Sequence, residues 1–265
     1  ISVRYIISSS FCRFHYGFET NIALTGEYET SNLDNENEQT YVLSAILPYR
    51  SFGFRYTEEY DHPPINAEKV DVALYMTAHD VLLHHNVRPA CLFYLPRAFF
   101  DTPVPVNYTI LQFGGFSIDA QESYRSELEG TIDLYAMPRS ACNDKSNFNK
   151  YEDPYYAEFG VRGLDKMCYS SPTTRKPCKY DRGGPLYARI NKPFCSILLL
   201  GVLSSQLKRC GLIQPNVFTD VRNVLAEIED EVWGDYTFLD VFDKDMVRPS
   251  CSSENEFLMF FNTFH

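Results

Sequence analysis

Short apolar segments alternate with polar, turn-rich connections along most of this chain. The alternation predicts strands at residues 5–8, 22–24, 41–47, 70–75, 108–113, 130–135, 197–203 and 216–219. Many short strands at such intervals favour an all-β sandwich or barrel. Residues 221–232 instead place apolar side chains at helical spacing, which predicts one helix near the C-terminal end.

Composition supports a folded chain with an acidic surface. The 265 residues are 45% hydrophobic and include 19 tyrosines and 20 phenylalanines, which argues against disorder. Lys plus Arg number 24 and Asp plus Glu number 35, so the net charge is −11. Such a charge repels phosphate backbones and anionic membranes, and we therefore expect no nucleic-acid and no membrane partner. The longest apolar run, residues 194–203, has about half the length that a membrane-spanning helix needs.

Eight cysteines in an acidic, aromatic-rich chain favour an oxidising compartment, so we expect a secreted, extracellular protein. Reduced core cysteines are the alternative that composition leaves open. A sequon at Asn107 predicts glycosylation and adds weakly to the case for secretion. The chain does not begin with Met and starts close to an apolar run, which leads us to expect a processed or truncated piece of a longer precursor.

The most informative segment reads Cys-Lys-Tyr-Asp-Arg-Gly-Gly-Pro-Leu at residues 178–186. It resembles the nucleophile loop of trypsin-like serine proteases, Cys-x-Gly-Asp-Ser-Gly-Gly-Pro. Further landmarks of that family occur in the right order: Tyr-Ile-Ile-Ser-Ser-Ser-Phe-Cys at 5–12, Val-Asp-Val-Ala-Leu at 70–74, Val-Arg-Pro-Ala-Cys-Leu at 87–92, Gly-Val-Leu-Ser at 201–204 and Pro-Asn-Val-Phe-Thr at 215–219. Each motif alone is common, but their joint order identifies a resemblance that covers residues 5–232.

The resemblance implies two antiparallel six-stranded β-barrels packed together, followed by a C-terminal helix. The family's first strands have no counterpart here, so the first barrel is expected to be incomplete. The implied domains are residues 1–98 for the N-terminal barrel half, 99–232 for the C-terminal half with its helix, and 233–265 for an extension.

The same alignment places the three catalytic positions of the family at Phe11, Asp71 and Arg182. Serine-protease chemistry needs a hydroxyl nucleophile, an imidazole base and a carboxylate that orients the base. A guanidinium stays protonated and has no lone pair with which to attack a carbonyl. A phenyl ring accepts no proton, so only the carboxylate remains and we expect no protease activity.

Positions that support catalysis and specificity are altered as well. Tyr180 replaces the oxyanion-hole glycine, whose backbone freedom favours that loop shape. Lys176 lies at the position of the specificity-pocket base, where it would repel basic substrate side chains. Gln206 and Asn216 occupy the positions of the pocket-wall glycines and should fill the pocket.

Two acidic residues of the aligned motifs leave alternatives open. Asp71 is expected to contact Ser204, as its counterpart does in the family, or to pair with Arg182 across the vacated imidazole site. For Asp181 the alternatives are water and a basic neighbour, either Arg175 or Lys179.

Glu27, Asp34 and Glu38 match acidic positions of the family's calcium loop. Carboxylates of this density suit a hard cation such as calcium, although a solvated acidic loop without any cofactor remains the other interpretation. The family pattern also implies the disulfides Cys142–Cys168 and Cys178–Cys210. It leaves the pairing of four cysteines open: Cys12, Cys91, Cys195 and Cys251.

These expectations combine into one functional hypothesis. The chain is expected to be an inactive trypsin-like homologue, a pseudoprotease, that acts as an extracellular protein-binding or regulatory module. The alternative is a divergent serine-type hydrolase with a displaced nucleophile.

Overall fold

The fold is taken from a computed structural model of the 265-residue chain. It describes residues 1–15, 18–26, 38–48, 70–84, 87–92, 110–116, 130–150, 154–161, 165–173, 175–177, 181–190, 196–205 and 214–233.

Strands dominate this part of the chain. They are β1 (Tyr5–Ser8), β2 (Phe14–His15), β3 (Phe18–Glu19), β4 (Ile22–Thr25), β5 (Gln39–Pro48), β6 (Ala73–Thr77), β7 (Cys91–Leu92), β8 (Ile110–Gly115), β9 (Gly130–Ala136), β10 (Lys166–Ser170), β11 (Pro185–Ile190), β12 (Ser196–Leu203) and β13 (Asn216–Asp220). The α-helices are α1 (Arg139–Asn143), α2 (Pro154–Phe159) and α3 (Leu225–Trp233), and 3-10 turns lie at Ser10–Arg13, Lys145–Asn147 and Val221–Val224.

Six strands close into a barrel. Their order is β11-β8-β9-β10-β13-β12, and an additional pairing of β11 with β12 completes the circle. Every pairing within the barrel is antiparallel, while β7 adds to β12 in parallel. Alternate residues of each strand point into the barrel, and these inward-facing side chains are mostly apolar. The side chains buried there include Leu111, Phe113, Leu134, Leu186 and Phe218. The expected second barrel is confirmed.

The first half of the chain forms an open sheet of four strands in the order β1-β6-β5-β4, with β2 and β3 as a separate two-stranded ribbon. Strand β5 alternates half-buried and exposed positions over most of its first half, which is the pattern of a strand with one face toward the core. In the residues that the structure describes, this half is therefore a half-barrel and not a closed six-stranded barrel. The expectation of an incomplete first barrel agrees with it.

A shared apolar core joins the half-sheet, the barrel and the C-terminal helix. It contains Val72 and Leu74 from the half-sheet side, Leu199 and Val202 from β12, and Ile228 from α3. The helix predicted at residues 221–232 is confirmed, except that its first turn is a 3-10 helix. The Asp220 side chain caps that turn by accepting the Arg222 N–H at 3.0 Å.

Several local expectations are corrected. The strand expected at 70–75 begins only at Ala73, because the preceding backbone serves side chains: the Val72 carbonyl accepts Ser10 Oγ at 2.6 Å. Strands β10 and β11 and the short helices α1 and α2 were not predicted. Within the described ranges, the helices are all too short or too polar to span a membrane.

Candidate functional site

Three segments that lie far apart in sequence meet where the half-sheet contacts the barrel. Phe11 lies in the 3-10 turn after β1, Asp71 precedes β6, and Arg182 lies in the turn before β11. The Arg182 Nη2 atom donates to Asp71 Oδ2 at 2.9 Å. Its guanidinium carbon lies 3.8 Å from the centroid of the Phe11 ring. The structure thus brings the three aligned positions together around one point.

The local sequence explains how Asp71 is held. Ser9 caps the 3-10 turn, since its Oγ accepts the Phe11 N–H at 3.1 Å. The same hydroxyl donates to Asp71 Oδ1 at 2.6 Å, and the Phe11 N–H also reaches Oδ1 at 3.2 Å. The turn and the carboxylate are therefore locked to each other by a shared set of hydrogen bonds.

The second oxygen of Asp71 has two further donors. Ser204 Oγ donates to Oδ2 at 3.0 Å, beside the Arg182 contact. Both alternatives drawn from the sequence for Asp71 therefore occur together. The Arg182 and Asp71 side chains are only 8% and 3% exposed, so this is a buried ion pair in which both carboxylate oxygens accept hydrogen bonds.

A second cation, which the sequence did not single out, supports the carboxylate from behind. Lys166 is buried on β10, and its Nζ donates to Ser204 Oγ at 3.2 Å and to Thr219 Oγ1 at 2.9 Å. Ser204 thus connects the Lys166 ammonium to the Asp71 carboxylate. Lys166 was missed because strand β10 itself was not predicted, and a lysine is rarely buried.

The electrostatics favour the ionised form of Asp71. Burial alone would raise the pKa of this carboxyl group, because a charge is poorly solvated in the interior. The charges of Arg182 and Lys166, with hydrogen bonds from Ser9 and Arg182, outweigh burial and hold the pKa of Asp71 below its usual value.

The turn at Gly183 brings the two halves of the chain into close contact. Its φ of +86° lies in the left-handed region that favours glycine. A Cβ atom there would lie 2.2 Å from Ser8 Oγ and 3.0 Å from Cys12 Sγ. Ser8 Oγ also donates to the Gly183 carbonyl at 3.3 Å. Glycine at this position therefore sets how closely Arg182 approaches Asp71.

The arrangement binds and orients charge. Phe11 contributes a ring face and Arg182 a permanent cation, and neither accepts a proton from a hydroxyl group. Every hydrogen bond that the described residues give Asp71 comes from a hydroxyl, a backbone amide or the guanidinium. Ser9 and Ser204, the hydroxyls in contact with Asp71, are both buried.

Two of the expected pocket positions are placed by the structure. Lys176 is 2% exposed, and burial lowers the pKa of its ammonium group. Asn216 begins β13 and is 0% exposed, and neither polar atom of its side chain has a hydrogen-bond partner among the described residues. The oxyanion-hole position Tyr180 and the second wall position Gln206 lie outside the described residues.

Comparison with known proteins agrees with this fold. The family model described as Trypsin matches residues 21–228, well over half of the chain. The chain belongs to the trypsin family.

Two curated relatives come from Drosophila melanogaster. "Serine protease Hayan" is 30% identical over 166 residues, which cover 62% of this chain and 24% of that protein. "Serine protease snk" is 21% identical over 231 residues, which cover 86% of this chain and 47% of that protein. The trypsin-family chain thus spans about a quarter of the length of the first relative and about half of the second.

The cysteines of this trypsin-family chain divide into bonded and free. Cys142 on α1 and Cys168 on β10 form the expected disulfide, with their Cα atoms 5.7 Å apart. Cys12 is a buried free thiol and Cys91 an exposed one. Burial, followed by the nearby Asp71 charge, raises the pKa of Cys12 to about 11. The other four cysteines, including the expected pair Cys178–Cys210, lie outside the described residues.

The expectation for Asp181 is corrected in one respect. Its side chain does not face water, because it is buried and Oδ1 accepts the Phe116 N–H at 2.8 Å. A backbone amide at the end of β8 is a donor that the sequence did not indicate.

Most residues of the remaining expected sites lie outside the part of the chain that the structure describes. Of the calcium-loop residues, Glu38 is described while Glu27 and Asp34 are not, and the sequon at Asn107 also lies outside the described residues. Over the part of the chain that is described, no group of three His, Cys, Asp or Glu residues could hold a metal ion.

Proposed function

We propose that this trypsin-family chain is a catalytically inactive homologue, a pseudoprotease, that acts as an extracellular protein-binding or regulatory module. The observation that carries the proposal is the buried Arg182–Asp71 ion pair at 2.9 Å, stacked on Phe11. The guanidinium fills the space beside Asp71 where a hydrolase of this family needs an imidazole, and it supplies no nucleophile in return.

The binding part of the proposal draws on the scaffold. A closed barrel and a half-sheet share one apolar core, so the connections between strands are presented on a rigid frame. Loops on such a frame tolerate sequence change and carry recognition. The disulfide between Cys142 and Cys168 supports an oxidising, extracellular environment.

Inactivity is tested by treating the purified chain with a fluorescent fluorophosphonate and with a broad library of peptide and ester substrates. We expect no covalent labelling and no turnover above a blank. An active trypsin at equal concentration is the positive control. Labelling of any serine, located by mass spectrometry, would contradict the proposal and support a divergent hydrolase with a displaced nucleophile.

One double variant separates loss of the triad from loss of the supporting apparatus. In Phe11→His combined with Arg182→Ser, the aligned residues of an active triad return around Asp71. We expect this double variant to remain inactive, because Tyr180 and Lys176 still occupy the oxyanion-hole and pocket-base positions. Turnover by the double variant would show that the remaining scaffold is intact, and turnover by the unmodified chain would sink the proposal.

The binding role is tested by chemical cross-linking in extracellular fluid, followed by calorimetry with the purified partner. We expect saturable binding at a fixed stoichiometry that does not depend on hydrolysis. Failure of every cross-linked candidate to bind in the purified system would leave the binding role without support.

A further inference from the structure

A groove of about 580 Å³ lies on the outer face of the barrel, beside the segment that follows β10. This outer groove shares no residue with the site around Asp71. Its polar lining includes Gln112 on β8, Thr131 and Asp133 on β9, Arg189 on β11, and Ser171, Thr173 and Arg175 after β10. Its volume falls within the usual range for ligand sites, about 300–1,000 Å³.

Strand register explains why these side chains share one face. Gln112 pairs with Tyr187 on one side and with Asp133 on the other. Directly paired residues point to the same side of a sheet, and Arg189 follows Tyr187 by two positions on that side. Strands β11, β8 and β9 therefore place Arg189, Gln112 and Asp133 on one outer face, on which Tyr187 is buried against Phe116.

The charge in the groove is opposite in sign to that of the whole chain. Arg175 and Arg189 are both exposed, against a net charge of −11 for the protein. The single carboxylate of the lining, Asp133, already accepts Gln112 Nε2 at 3.3 Å. Arg175 has an interaction within the chain, whereas Arg189 makes no ion pair with the described residues.

The same outer face also carries two exposed hydrophobic side chains. Tyr135 lines the groove and is 44% exposed, and its cross-strand partner Ile110 is 49% exposed. Arginine and tyrosine are enriched at protein interfaces, and an exposed cross-strand apolar pair adds area that a partner can cover. A cation pair beside an apolar pair calls for a ligand with carboxylates next to an aliphatic side chain.

We propose that the outer groove binds an extended acidic segment of a partner protein. Its carboxylates would pair with Arg189 and Arg175, and an aliphatic side chain would cover Tyr135 and Ile110. A long polyanion fits less well, because the lining holds only two arginines and the Asp133 carboxylate lies among them, which suits a ligand with few, spaced charges. This inference goes beyond the proposed inactivity, because the groove is independent of the site around Asp71.

The test uses a fluorescein-labelled peptide, Gly-Glu-Leu-Glu-Leu-Glu-Gly, and the same peptide with glutamine in place of glutamate. Fluorescence anisotropy at about 0.1 M salt should show saturable binding of the acidic peptide, at least tenfold tighter than the glutamine peptide. Arg189→Glu should weaken binding at least tenfold, and Ile110→Ser about threefold. Lys150→Glu is the matched control, because Lys150 is exposed outside the groove and its change alters the charge equally. It should change the affinity less than twofold.

Four results would overturn the proposal. Three come from binding assays: no saturable binding by the unmodified chain, equal weakening by Lys150→Glu and Arg189→Glu, and binding of heparin as tight as that of the acidic peptide. A salt-sensitive dimer in sedimentation that Arg189→Glu dissolves would also overturn it, because the occupant would then be a second copy. None of these readouts depends on hydrolysis, so the groove and the inactivity can fail separately.

Discussion

Arg182→Met is the most informative perturbation of stability. The change keeps an apolar stem over the Phe11 ring but leaves the Asp71 carboxylate buried without its direct ion-pair partner. Loss of one partner of a buried pair costs about 3–5 kcal/mol. Asp71 keeps hydrogen bonds from Ser9, Ser204 and the Phe11 amide, so we expect the lower end, about 3 kcal/mol. For a chain of this size, that lowers Tm by roughly 6–12 °C in calorimetry.

The pH dependence of the stability loss in Arg182→Met gives an independent check on the ion pair. Because the folded-state pKa of Asp71 is lowered, its contribution to stability is complete above the unfolded pKa of about 3.9 and is lost as pH falls below it. The unfolded-state pKa is common to both chains, so the difference in stability between Arg182→Met and the unmodified chain follows the folded-state pKa of Asp71 in each. It should be full at pH 7 and shrink at acidic pH once Asp71 is protonated in the variant, where its pKa is higher because the Arg182 charge is lost.

The control is Arg13→Met, which removes a more exposed pair with Glu19 at 2.7 Å. It should cost less than about 1 kcal/mol at any pH. A loss below about 1 kcal/mol for Arg182→Met, or a loss that is the same at pH 7 and pH 3, would refute the buried ion pair as a stabilising element.

Three further predictions concern the surroundings of this pair. Gly183→Ala should destabilise the fold by about 2 kcal/mol or more in urea unfolding, because the position has a positive φ and a Cβ would meet Ser8 Oγ. Combining Gly183→Ala with Ser8→Ala should recover part of this loss. Additive losses in the double variant would argue against the clash. In the native chain at pH 8, site-resolved iodoacetamide labelling should modify exposed Cys91 rapidly and buried Cys12 slowly, given the Cys12 pKa of about 11; equal rates would contradict the burial. Lys166→Met should move the acid-unfolding midpoint to higher pH, since the pKa of the neighbouring carboxyl group rises when a nearby cation is lost; an unchanged midpoint would show that Lys166 has no electrostatic role.

Much of the fold could be predicted where sequence pattern and burial agree. The expected strand at residues 5–8 matches β1, and those at 130–135 and 197–203 match β9 and β12 to within one residue. Strands β10 and β11 were not predicted, because their sequences do not alternate apolar and polar residues as a half-buried strand does. Strand β10 buries a lysine, and β11 follows two glycines and begins with a proline, residues that usually indicate a turn.

The candidate site was likewise predicted only in part. The resemblance aligned Phe11, Asp71 and Arg182, and the structure places them in contact. What the sequence could not supply was the connection behind the carboxylate. Lys166 reaches Asp71 through Ser204. The three residues come from distant segments, which closure of the barrel and packing of the half-sheet against it bring together.

The crowded carboxylate at Asp71 also makes residues 11 and 182 depend on each other. Serine alone at residue 182 would remove the salt link while the benzyl ring of Phe11 still filled the neighbouring space. Histidine alone at residue 11 would set a titratable ring against the guanidinium. Either single change therefore lowers stability, so replacements at these two positions are expected to be non-additive.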